Sequence, residues 1–528
     1  WHLNKMQLPL SLVIALGITF ALNVRADEQG SGLRGVSEKE TTKRNDQIIS
    51  IPLIPYHNHP RVDEIESIQE SRNMDRRRRH RRRLEKEDFN TIINSETGER
   101  GRQFESEVDE VFQGYGTHYV DVWVGTPPQR QTVIVDTGSW ATSFPCSECT
   151  DCGKGHHADD YFDETKSSTF ERVLDCDECE VGDCKKGYTG CVLSTAYSEG
   201  SSWKAYEAKD LVYTGGRHDK PSDVDTFYFN FGCQTKITGL FKTQLADGIM
   251  GMEMDDMDEK TTYWSQWYEA FKEQNYEKKF SLCFLRQDGA SRSGTPAGAM
   301  TMGGTDVRLH RSKMLYVDQL KDTGWYTIRI RKIYLRLNGG ERSFLEKGYD
   351  PDGVIVKQVD VSEEDINHKQ TIVDSGTTDT YISEDIAKPF KKLWKELTGT
   401  NYNNKHHHLT EKQVENLPTV LFQLKADPEL NDKSSPGLAG DLDPSFPMDV
   451  IIAMPPSHYL EYSKKSNRYA SRLYFDREGQ GTLGANFMMG HEILFDIENQ
   501  VLGFSESDCD YSSLKDEEEG SSEEESSE

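Results

Sequence analysis

From His118 onward the chain is a succession of short apolar runs cut by turn residues. In His118-Tyr119-Val120-Asp121-Val122-Trp123-Val124 the valines fall on every second position, the period of a strand. Gly125-Thr126-Pro127-Pro128 then predicts a turn, and Gln131 to Val135 a second strand. Similar runs recur at Phe227 to Gly232, Trp325 to Leu337 and Val450 to Met454. Helical spacing is scarce; Thr262 to Glu277 and Ile386 to Leu397 carry it. The pattern predicts a mainly β protein. At 528 residues it exceeds one ordinary core, so two or more lobes are expected. Two polar segments read as inserts: Asn401 to His408, which ends in three histidines, and the Pro-, Gly-, Asp- and Ser-rich stretch Ala426 to Asp443.

The ends have a different texture. An apolar run from Leu8 to Val24 follows Lys5 and exits at Val24-Arg25-Ala26, so residues 1–26 are expected to be a signal peptide rather than an uncleaved anchor. Residues 27–112 are polar and contain Arg76-Arg77-Arg78-Arg79-His80-Arg81-Arg82-Arg83. They are expected to form a prosegment, the alternative being a solvated basic run. An N-terminal lobe at 113–322, a C-terminal lobe at 323–510 and an acidic disordered tail at 511–528 complete the expected organisation. After signal cleavage no stretch is long and apolar enough for a membrane span, and the expected localisation is the secretory pathway.

The formal net charge of −28 argues against nucleic-acid binding and favours basic partners. All ten cysteines lie between Cys146 and Cys509, which fits disulfides in an oxidising compartment. Seven of them, Cys146, Cys149, Cys152, Cys176, Cys179, Cys184 and Cys191, crowd one insert; Cys233, Cys283 and Cys509 lie outside it. At least one insert cysteine must therefore pair outside the cluster or stay free. The Cys-x-x-Cys spacing also suits zinc, a reading that disulfides displace in a secreted chain. No metal or cofactor is expected.

The chemistry resides in a repeated motif. Asp136-Thr137-Gly138-Ser139 follows Val133-Ile134-Val135, and Asp374-Ser375-Gly376-Thr377 follows Thr371-Ile372-Val373. One such tetrapeptide arises by chance in roughly one chain in thirty of this length; two behind matching strands are far rarer. A strand ending in Asp presents a carboxylate at a loop tip, and Gly allows the backbone to turn there. The hydroxyls orient the carboxylates. Two carboxyls brought together cannot both ionise, so one proton is shared and the pair titrates as a unit. Asp and Gly also favour ordinary turns. That reading leaves unexplained Ala246-Asp247-Gly248-Ile249-Met250-Gly251 after the first motif and Gly481-Thr482-Leu483-Gly484-Ala485-Asn486-Phe487 after the second. Each places β-forming residues before Gly (Ile249-Met250 and Thr482-Leu483), suited to a strand beside a tight loop, and together they indicate an internal duplication.

On these residues the chain resembles the pepsin-like aspartic peptidases over roughly residues 115 to 510, through the closing stretch Leu494 to Phe504. The resemblance implies a bilobal, pseudo-two-fold fold with a central cleft, and Asp136 and Asp374 as catalytic residues. It implies that Ser139 and Thr377 support the outer carboxylate oxygens, that Thr137 and Ser375 grip across the lobes, and that Tyr197 closes over substrate. The cysteine-rich insert before Tyr197 looks like that of the plasmepsin V and nepenthesin type. There the flap tyrosine is followed by an unpaired cysteine and a glutamate that binds substrate arginine; here Ser198 and Glu199 stand in those places, so the thiol is absent. Gln244 falls at a second arginine contact. The implied function is an endopeptidase that processes arginine-containing protein or peptide substrates, acting as a monomer. The alternative is a catalytically silent binding or inhibitor protein on the same fold.

Overall fold

The computed structural model describes residues 49–52, 54–55, 117–215, 226–254, 261–274, 276–285, 297–320, 323–337, 354–463, 466–476, 481–511 and 514. The expected signal peptide, Arg76 to Arg83 and the acidic tail past 514 lie outside these residues.

The strands His118–Val124 and Gln129–Asp136 pair antiparallel across the turn at 125–128. Gly248–Gly251 runs parallel beside the second of them, with Gly248 opposite Val133 and Gly251 opposite Asp136. The later half repeats the arrangement. Thr371–Val373 runs parallel to Gly481–Leu483, with Val373 opposite Leu483. In each half a third strand then crosses antiparallel, Ser143 against Ile249 and Tyr381 against Thr482. Central parallel strands are covered on both faces, which is why Val133, Val135, Val373 and Leu483 are buried. The duplication seen in the motifs is thus a duplication of topology, and the fold is the bilobal one.

A six-stranded sheet joins the halves. It places Lys279–Phe284 against His491–Asp496, which continues into Val501–Glu506 and then Leu315–Asp318. Its outer side carries Gly298–Met302 and Ile49–Pro52, and Ile54–Pro55 pairs with the strand beginning at His118. Residues 49–52 and 54–55, inside the expected prosegment, are therefore strands of these two sheets. Tyr326, from the later half, is fully buried against Phe280 and Phe495 and donates its hydroxyl to the Met252 carbonyl at 2.9 Å.

Several boundaries differ from the pattern. Phe227 to Gly232 continues to Thr238, because its partner Ser202–Thr214 runs on beside it as far as Ser202 opposite Thr238. Trp325 to Leu337 divides into Thr327–Ile328 and Ile330–Leu337, which belong to different sheets. The first helix is α only over Tyr263–Phe271, started by a Thr262–Ser265 capping box, and tightens over Lys272–Gln274. The second, Ala387–Thr398, stops at Gly399 in the left-handed conformation (φ 70°) that glycine adopts without cost.

The two supposed inserts are tied to the body. Tyr402 is buried between Phe390 and Trp394 and its hydroxyl meets Ser471 and the Leu473 carbonyl. Asn404 donates to the carbonyls of Ser471 and Leu473, and His407 pairs with Tyr469. In the second segment Asn431 brackets the backbone of Tyr316 from both sides, Leu438 bridges to Val450, and Asp443 accepts from Lys332 and Gln423. A few anchors suffice, and their polar neighbours conceal them in the sequence.

Candidate active site

The two Asp-hydroxyl-Gly-hydroxyl loops meet at the junction of the halves. Their backbones lock by reciprocal hydrogen bonds. Thr137 N–H donates to Ser375 Oγ and Ser375 N–H to Thr137 Oγ1, both at 3.0 Å. The hydroxyls pass the bond on, Thr137 Oγ1 to the Val373 carbonyl at 3.1 Å and Ser375 Oγ to the Val135 carbonyl at 2.7 Å. These four bonds are buried and join residues 236 to 240 positions apart, so the loops form one rigid unit.

Each carboxylate is held the same way. Asp136 Oδ1 accepts Gly138 N–H at 2.9 Å and its Oδ2 accepts Ser139 Oγ–H at 2.6 Å. Asp374 Oδ1 accepts Gly376 N–H at 2.9 Å and its Oδ2 accepts Thr377 Oγ1–H at 2.5 Å. The loop glycines bring the carboxyls together. A Cβ on Gly138 would stand 2.8 Å from Asp374 Cγ, and one on Gly376 would strike Asp136. The two carboxyl groups lie within hydrogen-bonding contact of each other. Burial, and then the Asp374 carboxylate, push the Asp136 pKa well above the usual carboxylate value, against the bonds from Ser139 and Gly138. Burial and the neighbouring carboxylate favour the protonated form of Asp136, the property an acid–base pair requires.

A hairpin of Cys191–Ala196 and Ser202–Thr214 turns at Tyr197, where Tyr197 N–H meets the Ser201 carbonyl at 2.9 Å. The Tyr197 hydroxyl accepts Trp203 Nε1–H at 3.2 Å and contacts Ser139, so a chain of polar contacts runs from Trp203 to Asp136. Burial and then the Asp136 charge raise the Tyr197 pKa, keeping the phenol protonated. Glu199 is exposed at the turn and has no ion-pair partner among the described residues. Gln244 is buried; its backbone N–H bonds to the Leu240 carbonyl, and its side-chain nitrogen meets no hydrogen-bond partner among the described residues. Sequence reasoning missed Trp203 and Phe241, whose ring lies 5.2 Å from that of Tyr197. Neither belongs to a local motif. The one available signal was a tryptophan six positions past Tyr197 on the returning strand.

The cysteines form five disulfides: Cys146–Cys233, Cys149–Cys152, Cys176–Cys184, Cys179–Cys191 and Cys283–Cys509. Cys146 is the insert cysteine that pairs outside the cluster. The sulfurs of Cys179, Cys184 and Cys191 lie within 4.8 Å of one another, a spacing that suits a metal. All three are committed to disulfides, and a disulfide sulfur is not a thiolate ligand.

Comparison with known proteins agrees with this geometry. Residues 118–304 match a family model described as Xylanase inhibitor N-terminal. The chain is 34% identical over 212 residues to Aspartic protease 5 of Toxoplasma gondii, a match covering 37% of the chain and 20% of that protein. It is 25% identical over 445 residues to Aspartyl protease family protein 1 of Arabidopsis thaliana, covering 81% of the chain and 73% of the relative. It is 22% identical over 449 residues to Plasmepsin V of Plasmodium falciparum, covering 75% and 72%. Duplicated topology, paired aspartate loops and these relatives agree on the class: the chain has the fold and the paired-aspartate site of the pepsin-like aspartic peptidases and is similar in sequence to proteins named as aspartic proteases.

Proposed function

We propose that Asp136 and Asp374 hydrolyse peptide bonds of protein substrates, and that the enzyme is a processing protease of the secretory pathway with a preference for an arginine-containing motif. The observation that carries the catalytic part is the contact of two buried carboxyls over a cradle where no side chain fits at 138 or 376. A water between them loses its proton to the ionised carboxyl and attacks the scissile carbonyl. The protonated carboxyl hydrogen-bonds the carbonyl oxygen, and the proton passes to the leaving amine. No covalent intermediate forms. Ser139 and Thr377 orient the carboxylates through their outer oxygens, and Tyr197 closes the hairpin over the peptide and excludes bulk water.

The arginine preference draws support from Glu199, an exposed carboxylate at the turn with no ion-pair partner among the described residues, and a guanidinium suits it better than an ammonium. Gln244 adds a buried amide with one end unpaired. Five disulfides suit an oxidising compartment, and among the described residues no helix is long and apolar enough to cross a membrane. The family model's description keeps a second reading in view, a silent binding protein. Cleavage of a peptide library by the purified protein decides between them. The hydrolytic reading expects cleavage abolished in Asp136→Ala; no difference between the two proteins sinks it. Arginine enrichment near the cut that survives Glu199→Ala unchanged removes Glu199 from recognition.

A further inference from the structure

The hairpin that carries Tyr197 packs against the segment Gly239–Leu245. The Phe241 ring lies 5.2 Å from Tyr197, and Leu240 N–H donates to Ser201 Oγ at 2.9 Å. Behind this segment stands the loop closed by Cys149–Cys152. His157 Nε2 is 2.8 Å from the Phe241 carbonyl oxygen, and Ala158 N–H donates to the Leu245 carbonyl at 2.8 Å. Lys242 pairs with Asp151, and Gly153 lies so near the Lys242 carbonyl that a side chain there would collide. The loop is itself held by the Tyr161 hydroxyl, which accepts from Cys152 N–H at 3.2 Å and Lys154 N–H at 2.9 Å. Contacts therefore run from the disulfide loop through residues 239–245 to the hairpin turn.

His157 is the link whose bond ends on Phe241 itself. A carbonyl acceptor requires the proton on Nε2. Its Nδ1 is buried and meets no hydrogen-bond partner among the described residues, so among these the ring serves this one bond. Burial lowers its pKa, in keeping with a neutral imidazole.

We infer that His157 is a positioning residue for the hairpin: it fixes Phe241 as the surface against which Tyr197 packs, and so sets the hairpin's closed position. The inference rests on the hydrolytic reading only for its kinetic consequence. Glutamine places its amide nitrogen where Nε2 stands, whereas asparagine reaches only as far as Nδ1. A role in mere filling would treat the two alike. The experiment compares wild type, His157→Ala, His157→Gln and His157→Asn by hydrogen exchange with mass spectrometry and by peptide cleavage. The expected result is exchange about tenfold faster across 194–204 and 238–246 in the Ala and Asn variants, the loss of one hydrogen bond, with Gln restoring protection. KM should rise in the same two variants while kcat changes little. Equal behaviour of Gln and Asn, or faster exchange confined to 149–158, overturns the inference. Exchange decides it even if the wild type cleaves nothing, an outcome that would instead remove the hydrolytic reading.

Discussion

Lowering the pH should unfold this protein partly through a single imidazole. His118 opens the first strand of the N-terminal half and is 1% exposed. Its ring stacks on Phe284 at 3.7 Å with planes 7° apart, and neither ring nitrogen meets a hydrogen-bond partner among the described residues. Burial alone drives its pKa from 6.5 down to about 3. The sign follows from proton binding. Between pH 6.5 and 3 the unfolded chain takes up a proton that the folded chain refuses, so stability falls as pH falls through that window. Each unit costs about 1.4 kcal/mol, so moving from pH 7 to 4.5 removes about 2.7 kcal/mol through His118 alone. The variant His118→Phe keeps the stack on Phe284 and cannot titrate. Urea unfolding of both proteins at pH 7 and 4.5 isolates the effect, because all other titrating groups cancel in the difference. The variant should lose about 2.7 kcal/mol less than wild type over that interval. Equal losses would refute the account and show that the folded protein accommodates a charged imidazole at this position.

Three further outcomes follow from the geometry. Activity should fall on the alkaline side as the Asp136–Asp374 pair loses its shared proton. Ser139→Ala, which removes a donor that favours the ionised form of Asp136, should move that limb up by about one pH unit, read from the pH profile of kcat. Glu207 is fully buried and accepts from the backbone of Glu180, Val181 and Gly182 and from Asn230, so Glu207→Ala should cost about 3 to 5 kcal/mol and expose residues 173–191 to limited proteolysis. Replacing Cys146 and Cys233 by Ser opens a link across 87 residues and should cost about 4 to 5 kcal/mol in denaturant unfolding, since the unfolded chain regains that loop's freedom.

The paired aspartates were legible because their determinants are local. An apolar strand, a carboxylate, a hydroxyl and a glycine lie in consecutive positions, and their repetition announces two halves. Strands such as His118–Val124, with its alternating valines, and Val450–Met454, a continuous apolar run, were legible for the same reason: the pattern is written within one element. The anchoring of the two polar segments was not legible, because Tyr402 and Asn431 stand within polar stretches and their partners lie 69 and 115 residues away.

What stayed hidden shares that physical cause. Trp203, Phe241 and His157 bear on the site through contacts that no period or motif encodes, and the five cysteine pairings depend on which sulfurs the folded chain brings together. Short stretches of chain carry the resemblance to the class, the two carboxylates and the hydroxyls beside them, because each is a local property. The tertiary structure decided that the carboxyls touch, that burial raises Asp136, and that a disulfide loop stands behind the hairpin, because each depends on groups distant in sequence packed at hydrogen-bond range away from water.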